Sequence, residues 1–335
     1  LQSGHTMTCN NEWDQLEEVI VGSAIGSKIP KPNKSLMSCM YPTYTEKEIL
    51  TSSGLFPAWL VEEQEEDLDA LSNTLKSLGV KVHRPDSTKK PEYHYHCPRD
   101  LTLIVGNTII ETPSPLIDRK NETQAYKDIF TKKWKDGYKW VKAPTPSYKE
   151  ENYQTDDIDR KPTLLNKEPM FEAANCMRIN NDILYQVSNT GNELGGQWLQ
   201  DILMDKKVHI LHDLYSYAHL DSTIIPLREG LVLYNASRVT QENEPKLFKS
   251  WDKIWIDECY SASNKTELPW GASAWIGLNL LSVNPNLAIV DKKQKKLIQK
   301  LKKHKIEVIP LELRHDRIIS GGFHCVTLDL SRKAT

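Results

Sequence analysis

Cys325 follows two glycines in the segment Ser320-Gly321-Gly322-Phe323-His324-Cys325. Paired glycines let a backbone bend sharply or let a ligand come close, and a thiolate presented there is a candidate nucleophile. A strand begins just beyond it. Neighbours on a strand point to opposite faces, so His324 is not expected to act as the base for Cys325. A better proton carrier lies in His219-Leu220-Asp221, where strand geometry would set the imidazole and the carboxylate on one face. Glu172 stands between Phe171 and Ala173-Ala174. A carboxylate in such an apolar setting needs a partner, and an imidazole is a natural one. Asp100 closes Cys97-Pro98-Arg99-Asp100, just before a further strand. On residue type alone each has a plainer reading: a packed cysteine, a surface His–Asp pair, a helix-start carboxylate, a turn aspartate. Taken together they supply a nucleophile, a proton carrier, a group to orient it, and two aspartates. Two carboxylates in one pocket suit a delocalised cation, and a planar guanidinium donates to them bidentately. His94, His96 and Cys97 form an H-x-H-C cluster, but no second ligand pair at a zinc spacing accompanies it, so no metal is expected. No cofactor is required.

The elements that must hold these residues recur as strand, helix and second strand. The five units place their strands and helix at 17–22, 59–78 and 80–84; 101–111, 118–135 and 139–142; 183–188, 192–203 and 208–211; 231–235, 243–250 and 253–257; 287–291, 292–305 and 306–311. This reads as an internally repeated α/β architecture, with a doubly wound parallel sheet as the alternative. No G-x-G-x-x-G follows the first strand and no P-loop motif occurs. The connections at 28–56 and 145–167 are polar and contain proline, and loops of that length are candidate lids. Eight lysines between 292 and 305 read as the solvated face of the fifth helix.

Composition narrows the function classes. The 335 residues carry 43 Lys plus Arg against 45 Asp plus Glu, a formal charge of −2, which disfavours a nucleic-acid binder. No apolar run reaches the roughly 18–20 residues of a membrane span. The six cysteines include no C-x-x-C pair, no signal peptide precedes Met7, and residues 1–6 (LQSGHT) read as a cloning remnant. Sequons at Asn33, Asn121 and Asn264 are read as chance matches in a reducing cytoplasm. Residues 7–335 are expected to form one catalytic domain.

The chain resembles the amidinotransferases of the guanidino-modifying (pentein) superfamily along nearly its whole length. The motifs are Asn11-Glu12-Trp13-Asp14-Gln15-Leu16-Glu17-Glu18-Val19-Ile20-Val21-Gly22, Cys97-Pro98-Arg99-Asp100, Ile109-Ile110-Glu111-Thr112-Pro113, Phe171-Glu172-Ala173-Ala174, His219-Leu220-Asp221 and Gly321-Gly322-Phe323-His324-Cys325. Segments 187–200, 219–239 and 275–294 look closer to the inosamine-phosphate branch than to arginine:glycine amidinotransferase. The resemblance implies a five-bladed α/β propeller, with Cys325 as nucleophile, His219 as general acid/base and Glu172 as its orienting group. It implies that Asp100 and Asp221 hold the guanidinium, and that Arg238 and Ser273 hold the donor's α-carboxylate. The implied activity moves the amidino group of L-arginine to an acceptor amine through an amidino-cysteine and releases ornithine. Specialised metabolism is the implied setting, and a homodimer is possible. Amidinotransferases usually carry Asp where this chain has Glu172, whereas the hydrolytic relatives look as though they prefer Glu. An arginine deiminase-like hydrolase is therefore the alternative, and a non-catalytic binding protein a more remote one. An activated Cys325 would be alkylated well below pH 8.5. Residues 212–218 (HDLYSYA), just before His219, are expected to line the acceptor pocket; they include no cation.

Overall fold

A computed structural model describes residues 8–154 and 162–335; residues 1–7 and 155–161, and with them the cloning-remnant reading of 1–6, lie outside the described residues. The chain opens with β1 (Gln15–Val21), a short hairpin of β2 (Lys28–Ile29) and β3 (Gly54–Leu55) enclosing α1 (Lys34–Cys39) and α2 (Glu46–Ser52), then α3 (Ala58–Ser77) and β4 (Lys81–His83). Next come β5 (Thr102–Val105), β6 (Thr108–Glu111), α4 (Lys127–Lys135) and β7 (Lys139–Lys142), and then β8 (Cys176–Ile179), β9 (Asp182–Gln186), α5 (Glu193–Ile202) and β10 (Lys207–Leu211). The last part holds β11 (Ile224–Arg228), β12 (Leu231–Asn235), β13 (Asp252–Ile256), β14 (Leu281–Asn284), β15 (Leu287–Asp291), α6 (Lys295–Lys303), β16 (Glu307–Leu311) and β17 (Thr327–Lys333).

Five three-stranded sheets result, ordered β17-β1-β4, β5-β6-β7, β8-β9-β10, β11-β12-β13 and β14-β15-β16. In every sheet the middle strand pairs antiparallel with the first and parallel with the last. The middle strands are the apolar runs visible in the sequence. Those of the later sheets, such as Leu231–Asn235, are buried almost throughout, as a strand covered on both faces must be. The first strands of different sheets touch each other, β5 against β17 and β8 against β11, which gathers them about a common axis. The expected five-unit α/β propeller is thus present, with one strand more per unit than the sequence shows.

That extra strand is the main correction. Three of the first strands escape pattern reading because their apolar runs are broken. β8 carries Arg178, β11 carries Pro226 and β14 carries Ser282. Arg178 is tolerated because Glu12 and Asp329 meet it inside the protein. Residues 101–111 are a hairpin rather than one strand, turned at Gly106, whose φ of +57° favours glycine. The helix expected over 118–135 is two 3₁₀ turns (Ile117–Arg119 and Glu122–Tyr126) before α4, and that expected over 243–250 is a single 3₁₀ turn, Lys246–Phe248. Pro245 starts that turn, and Phe248 packs on Tyr234 and Trp251.

The 28–56 connection, expected to be polar and outside the core, is packed into it. Its helices are capped by Asn33 and by a Thr45–Glu48 capping box, and it buries Ile29, Leu36, Met37, Tyr41, Ile49 and Phe56. The described part of 145–167 is tied down as well: Tyr153 donates to the Pro115 carbonyl at 2.7 Å, and Thr163 to the Ser38 carbonyl at 2.6 Å. α6 buries Leu297 and Leu301, while Lys296 pairs with Asp257 beside exposed neighbours, so its lysines form a solvated face. Among the described residues no helix is long and apolar enough to cross a membrane.

Candidate active site

Each first strand is preceded by a turn, and these turns carry the candidate residues. The 3₁₀ turn Pro98–Asp100 leads into β5, Glu172 precedes β8, His219 and Asp221 precede β11, Asn279 precedes β14 and Cys325 precedes β17. One cavity of about 540 Å³ lies against them. Its lining includes every residue singled out in the sequence: Cys325, His219, Glu172, Asp100, Asp221, Arg238 and Ser273.

Cys325 stands in the turn 323–326 and not on the strand itself. Its amide donates to Asn279 Oδ1 at 2.9 Å, and its thiol donates to Asp221 Oδ2 at 3.3 Å. The two glycines before it are required sterically. A Cβ on Gly321 would lie 2.5 Å from Cys97 Sγ, and one on Gly322 would lie 2.5 Å from Asn279 Cβ. His324 and the thiol meet the same Asp221 oxygen. His324 Nδ1 meets Asp221 Oδ2 at 2.8 Å and its Nε2 meets Glu12 Oε2 at 3.1 Å, so it links Asp221 to Glu12.

His219 and Asp221 occupy a turn, not the expected strand; the Leu220 amide ties that turn to the Ala174 carbonyl at 3.0 Å. Both side chains still reach the cavity, but with separate partners. His219 Nε2 meets Glu172 Oε2 at 2.6 Å. Glu172 Oε1 accepts from Ser114 at 2.8 Å and from Arg119 at 3.1 Å. Arg119 also donates to Asp100 Oδ2 at 2.9 Å, and Glu122 takes its other edge. Asp100 Oδ1 is buried without a hydrogen bond, with only an ion-pair approach from His219 Nδ1 at 3.7 Å. At the other side Arg238 donates to Thr223 at 2.8 Å, Ser222 at 3.1 Å and Ser273 at 3.0 Å, and its guanidinium carbon sits 3.4 Å from the centre of the Tyr215 ring.

Burial pushes the Cys325 thiol up, and the charges of Asp221 and Asp100 push it further, well above the ordinary thiol range. A thiolate free below pH 8.5 is therefore not what these surroundings set up. Burial disfavours a charged His219, but Asp100 and Glu172 outweigh it and lift the imidazole to about 9. Burial also opposes the Asp221 charge, yet the His324 hydrogen bond and charge bring its carboxyl down to about 2. Asp100 is held above the usual carboxylate range by burial, despite His219 and Arg119. The cavity thus sets carboxylate oxygens of Asp221 and Asp100, one of them without a hydrogen bond, around a neutral thiol.

Donor atoms of Asp100, Glu172 and His219 lie within 4.8 Å of one another. Two of these carboxylates already share the Arg119 guanidinium. Within the H-x-H-C cluster His96 Nδ1 and the Cys97 thiol lie 3.4 Å apart and both meet the Ser320 carbonyl, while His96 Nε2 meets Gln64 at 2.8 Å. Arg119, Ser114, Asn279 and Glu12 were not legible as site residues, because their partners lie from 53 to 312 residues away in most of these contacts.

The fold places the chain among guanidino-modifying propellers. The DDAH of Pseudomonas aeruginosa superposes with a TM-score of 0.61 over 94% of this chain and 99% of its own, at 16% identity, a likeness of fold alone. The inosamine-phosphate amidinotransferase 1 of Streptomyces griseus is 43% identical over 98% of this chain and 97% of its own, and the solved inosamine-phosphate amidinotransferase of that organism superposes with a TM-score of 0.91 at 42% identity, covering 98% and 97%. The L-arginine:L-lysine amidinotransferase of Pseudomonas savastanoi pv. phaseolicola is 32% identical over 96% of this chain and 93% of its own. The chain belongs to the amidinotransferase family, and its reaction is the transfer of an amidino group to an acceptor amine. No protein-family model matches it. The hydrolytic alternative retains only the fold-level likeness.

Proposed function

We propose that the donor is L-arginine and that Cys325 carries the amidino group between donor and acceptor. The observation that bears most weight is the unbonded Asp100 Oδ1 in a cavity shared with the Cys325–Asp221 hydrogen bond. A guanidinium between Asp100 and Asp221 satisfies that oxygen and brings a positive charge to both carboxylates. The same charge offsets the two carboxylates that hold the thiol protonated, so donor binding arms the nucleophile. The thiolate then attacks the guanidinium carbon and the bond to the δ-nitrogen breaks. Charged His219, steered by Glu172, gives its proton to the departing amine. The thiol's proton passes through solvent to the same amine, and ornithine leaves as an ammonium ion. A cationic amidino-thioether remains on Cys325. Neutral His219 next deprotonates the acceptor's ammonium group; the amine attacks, the thioether bond breaks, and thiol and imidazolium are restored. Arg238 and Ser273 hold the α-carboxylate of the amino acid.

The Streptomyces relatives are named for inosamine phosphates, which supports a phosphorylated aminocyclitol as acceptor and a role in specialised metabolite biosynthesis. Tyr215, Tyr217 and Ala218 line the cavity beside His219, where the acceptor is expected. Residues 7–335 act as one catalytic domain in the cytoplasm, by resemblance as a homodimer, which sedimentation analysis tests. The chemical test is single-turnover mixing with labelled arginine. Wild type releases ornithine stoichiometrically and retains label on Cys325. Cys325→Ala, with an unchanged melting temperature, releases none. Ornithine release by that variant at the wild-type rate would overturn the mechanism.

A further inference from the structure

The donor L-arginine brings two positive groups, its guanidinium and α-ammonium, and one carboxylate, so it calls on a single cation of the cavity wall. Arg119 is spent on Glu122, Asp100 and Glu172. Two other guanidiniums, Arg238 and Arg317, line the same cavity, and among the described residues neither has a carboxylate at ion-pair distance. Arg238 is assigned above to the α-carboxylate. Arg317 is left over.

Arg317 is held in place by neutral groups only. Its Nη1 donates to Ser261 Oγ at 2.8 Å and its Nε to the Ala272 carbonyl at 3.3 Å, and its guanidinium carbon lies 3.7 Å from the centre of the Trp270 ring. Its own carbonyl accepts from the Gly271 and Ala272 amides at 2.7 and 3.0 Å. The neighbouring Asp316 makes no ion pair with it at contact distance: that carboxyl acts on Arg317 only through space, and burial with the Asp291 charge pushes it up to about 7. The stretch Trp270–Ser273 therefore carries both cations, Arg317 stacked on Trp270 at one end and Arg238 on Ser273 at the other. Stacking fixes the plane of a guanidinium, and with Nε and Nη1 engaged, Arg317 keeps Nη2 for an oxyanion. Both cations stand ready for the acceptor once ornithine has left.

We propose that Arg317, braced on Trp270, seats the phosphate monoester of the acceptor and so selects phosphorylated amines. This rests on the amidinotransferase reading for its place in the reaction, but not for the anion site itself. A dianion matches the surplus cation; a neutral amine or a lone carboxylate leaves it unmatched. The alternative role, a clamp that merely pins residues 270–273, would move stability and donor binding together.

Two measurements on the full chain separate these. Calorimetric titration needs no turnover: inositol 1-phosphate is expected to bind wild type, myo-inositol not to bind, and inorganic phosphate to bind more weakly. Arg317→Gln is expected to weaken inositol 1-phosphate by about 10–100-fold, the scale of losing a charge-assisted hydrogen-bond pair, and Arg317→Lys by less. Exchange of labelled ornithine into arginine then reports the donor half: the KM for arginine in Arg317→Gln should stay within about twofold of wild type, by the same principle that an absent contact contributes nothing. Equal binding of inositol 1-phosphate by wild type and Arg317→Gln overturns the proposal. So does a parallel rise in the arginine KM, which would assign Arg317 to the donor, or inorganic phosphate binding as tightly as the inositol ester. Phosphate-dependent binding without any ornithine exchange would leave the anion site standing and refute amidino transfer instead.

Discussion

In the proposed mechanism Cys325 stays a neutral thiol until the donor arrives. The sign of the pH dependence follows from the charges around it. Burial, Asp221 and Asp100 all favour the thiol, so alkylation of the free protein by iodoacetamide should climb with pH past 9 without a plateau near neutrality. Asp221→Asn removes one of those negative charges, and thiol alkylation at pH 8 should become faster. The same variant should lose about 10–100-fold in kcat/KM, the worth of a charged hydrogen bond to the donor. Faster labelling with slower turnover is the diagnostic pair; slower labelling would mean that Asp221 activates the free thiol. Much at this scale was legible in the sequence. Cys325, His219, Glu172, Asp100, Asp221, Arg238 and Ser273 all reach one cavity. What could not be read were the partners. Glu172 lies 53 residues from Arg119 and 58 from Ser114, and no local spacing announces such contacts. The absence of a cation in 212–218 was visible; that Arg317 would supply one from about a hundred residues on was not.

The elements divide along the same line. Middle strands such as Leu231–Asn235 and Leu287–Asp291 coincide with their apolar runs, because burial on both faces demands continuous apolar sequence. The first strands were mostly invisible, because Arg178 and Pro226 sit where a periodic pattern would need apolar residues. Yet those are the strands whose entrances carry the reactive groups. The glycine pair shows how tightly an entrance is fitted. Gly321 has φ +143°, and a side chain there would collide with Cys97 Sγ and approach Cys325 Cβ to 3.1 Å. Gly321→Ala should cost about 1–3 kcal/mol of stability from backbone strain and a larger share of activity, because the displaced turn carries the nucleophile. Calorimetric melting and ornithine release, measured side by side, check this. Full activity at wild-type stability would show that the approach is looser than drawn.

At the scale of the whole molecule, the site exists only when the ring is closed. β17 reaches across from residues 327–333 to pair with β1 at 15–21, in register from Gln15 with Lys333 to Val21 with Thr327. Asp329 on that strand is fully buried among Arg99, Arg178 and Arg332. Arg99 adjoins Asp100, and Arg178 shares Glu12 with His324. Closure and catalysis thus share one buried charge network. Asp329→Ala should leave those arginines without their common partner, a loss on the order of 3–5 kcal/mol for a broken buried pair, visible as a fall in the denaturant midpoint and in soluble yield. A normal midpoint would show that the network is dispensable.

The same closing strand suggests a use in protein engineering. Residues 257–265 lie between β13 and the Trp270–Ser273 stretch, and most of them are exposed or half-buried. A chain divided there would leave Asp100, Glu172, His219 and Asp221 in one piece, and Cys325 in the other, attached to a strand that belongs in the first piece's sheet. Neither piece could trap an amidino group alone. Ornithine formation would then count reunions of the two halves, making the enzyme a split reporter whose signal depends on a single strand finding its slot.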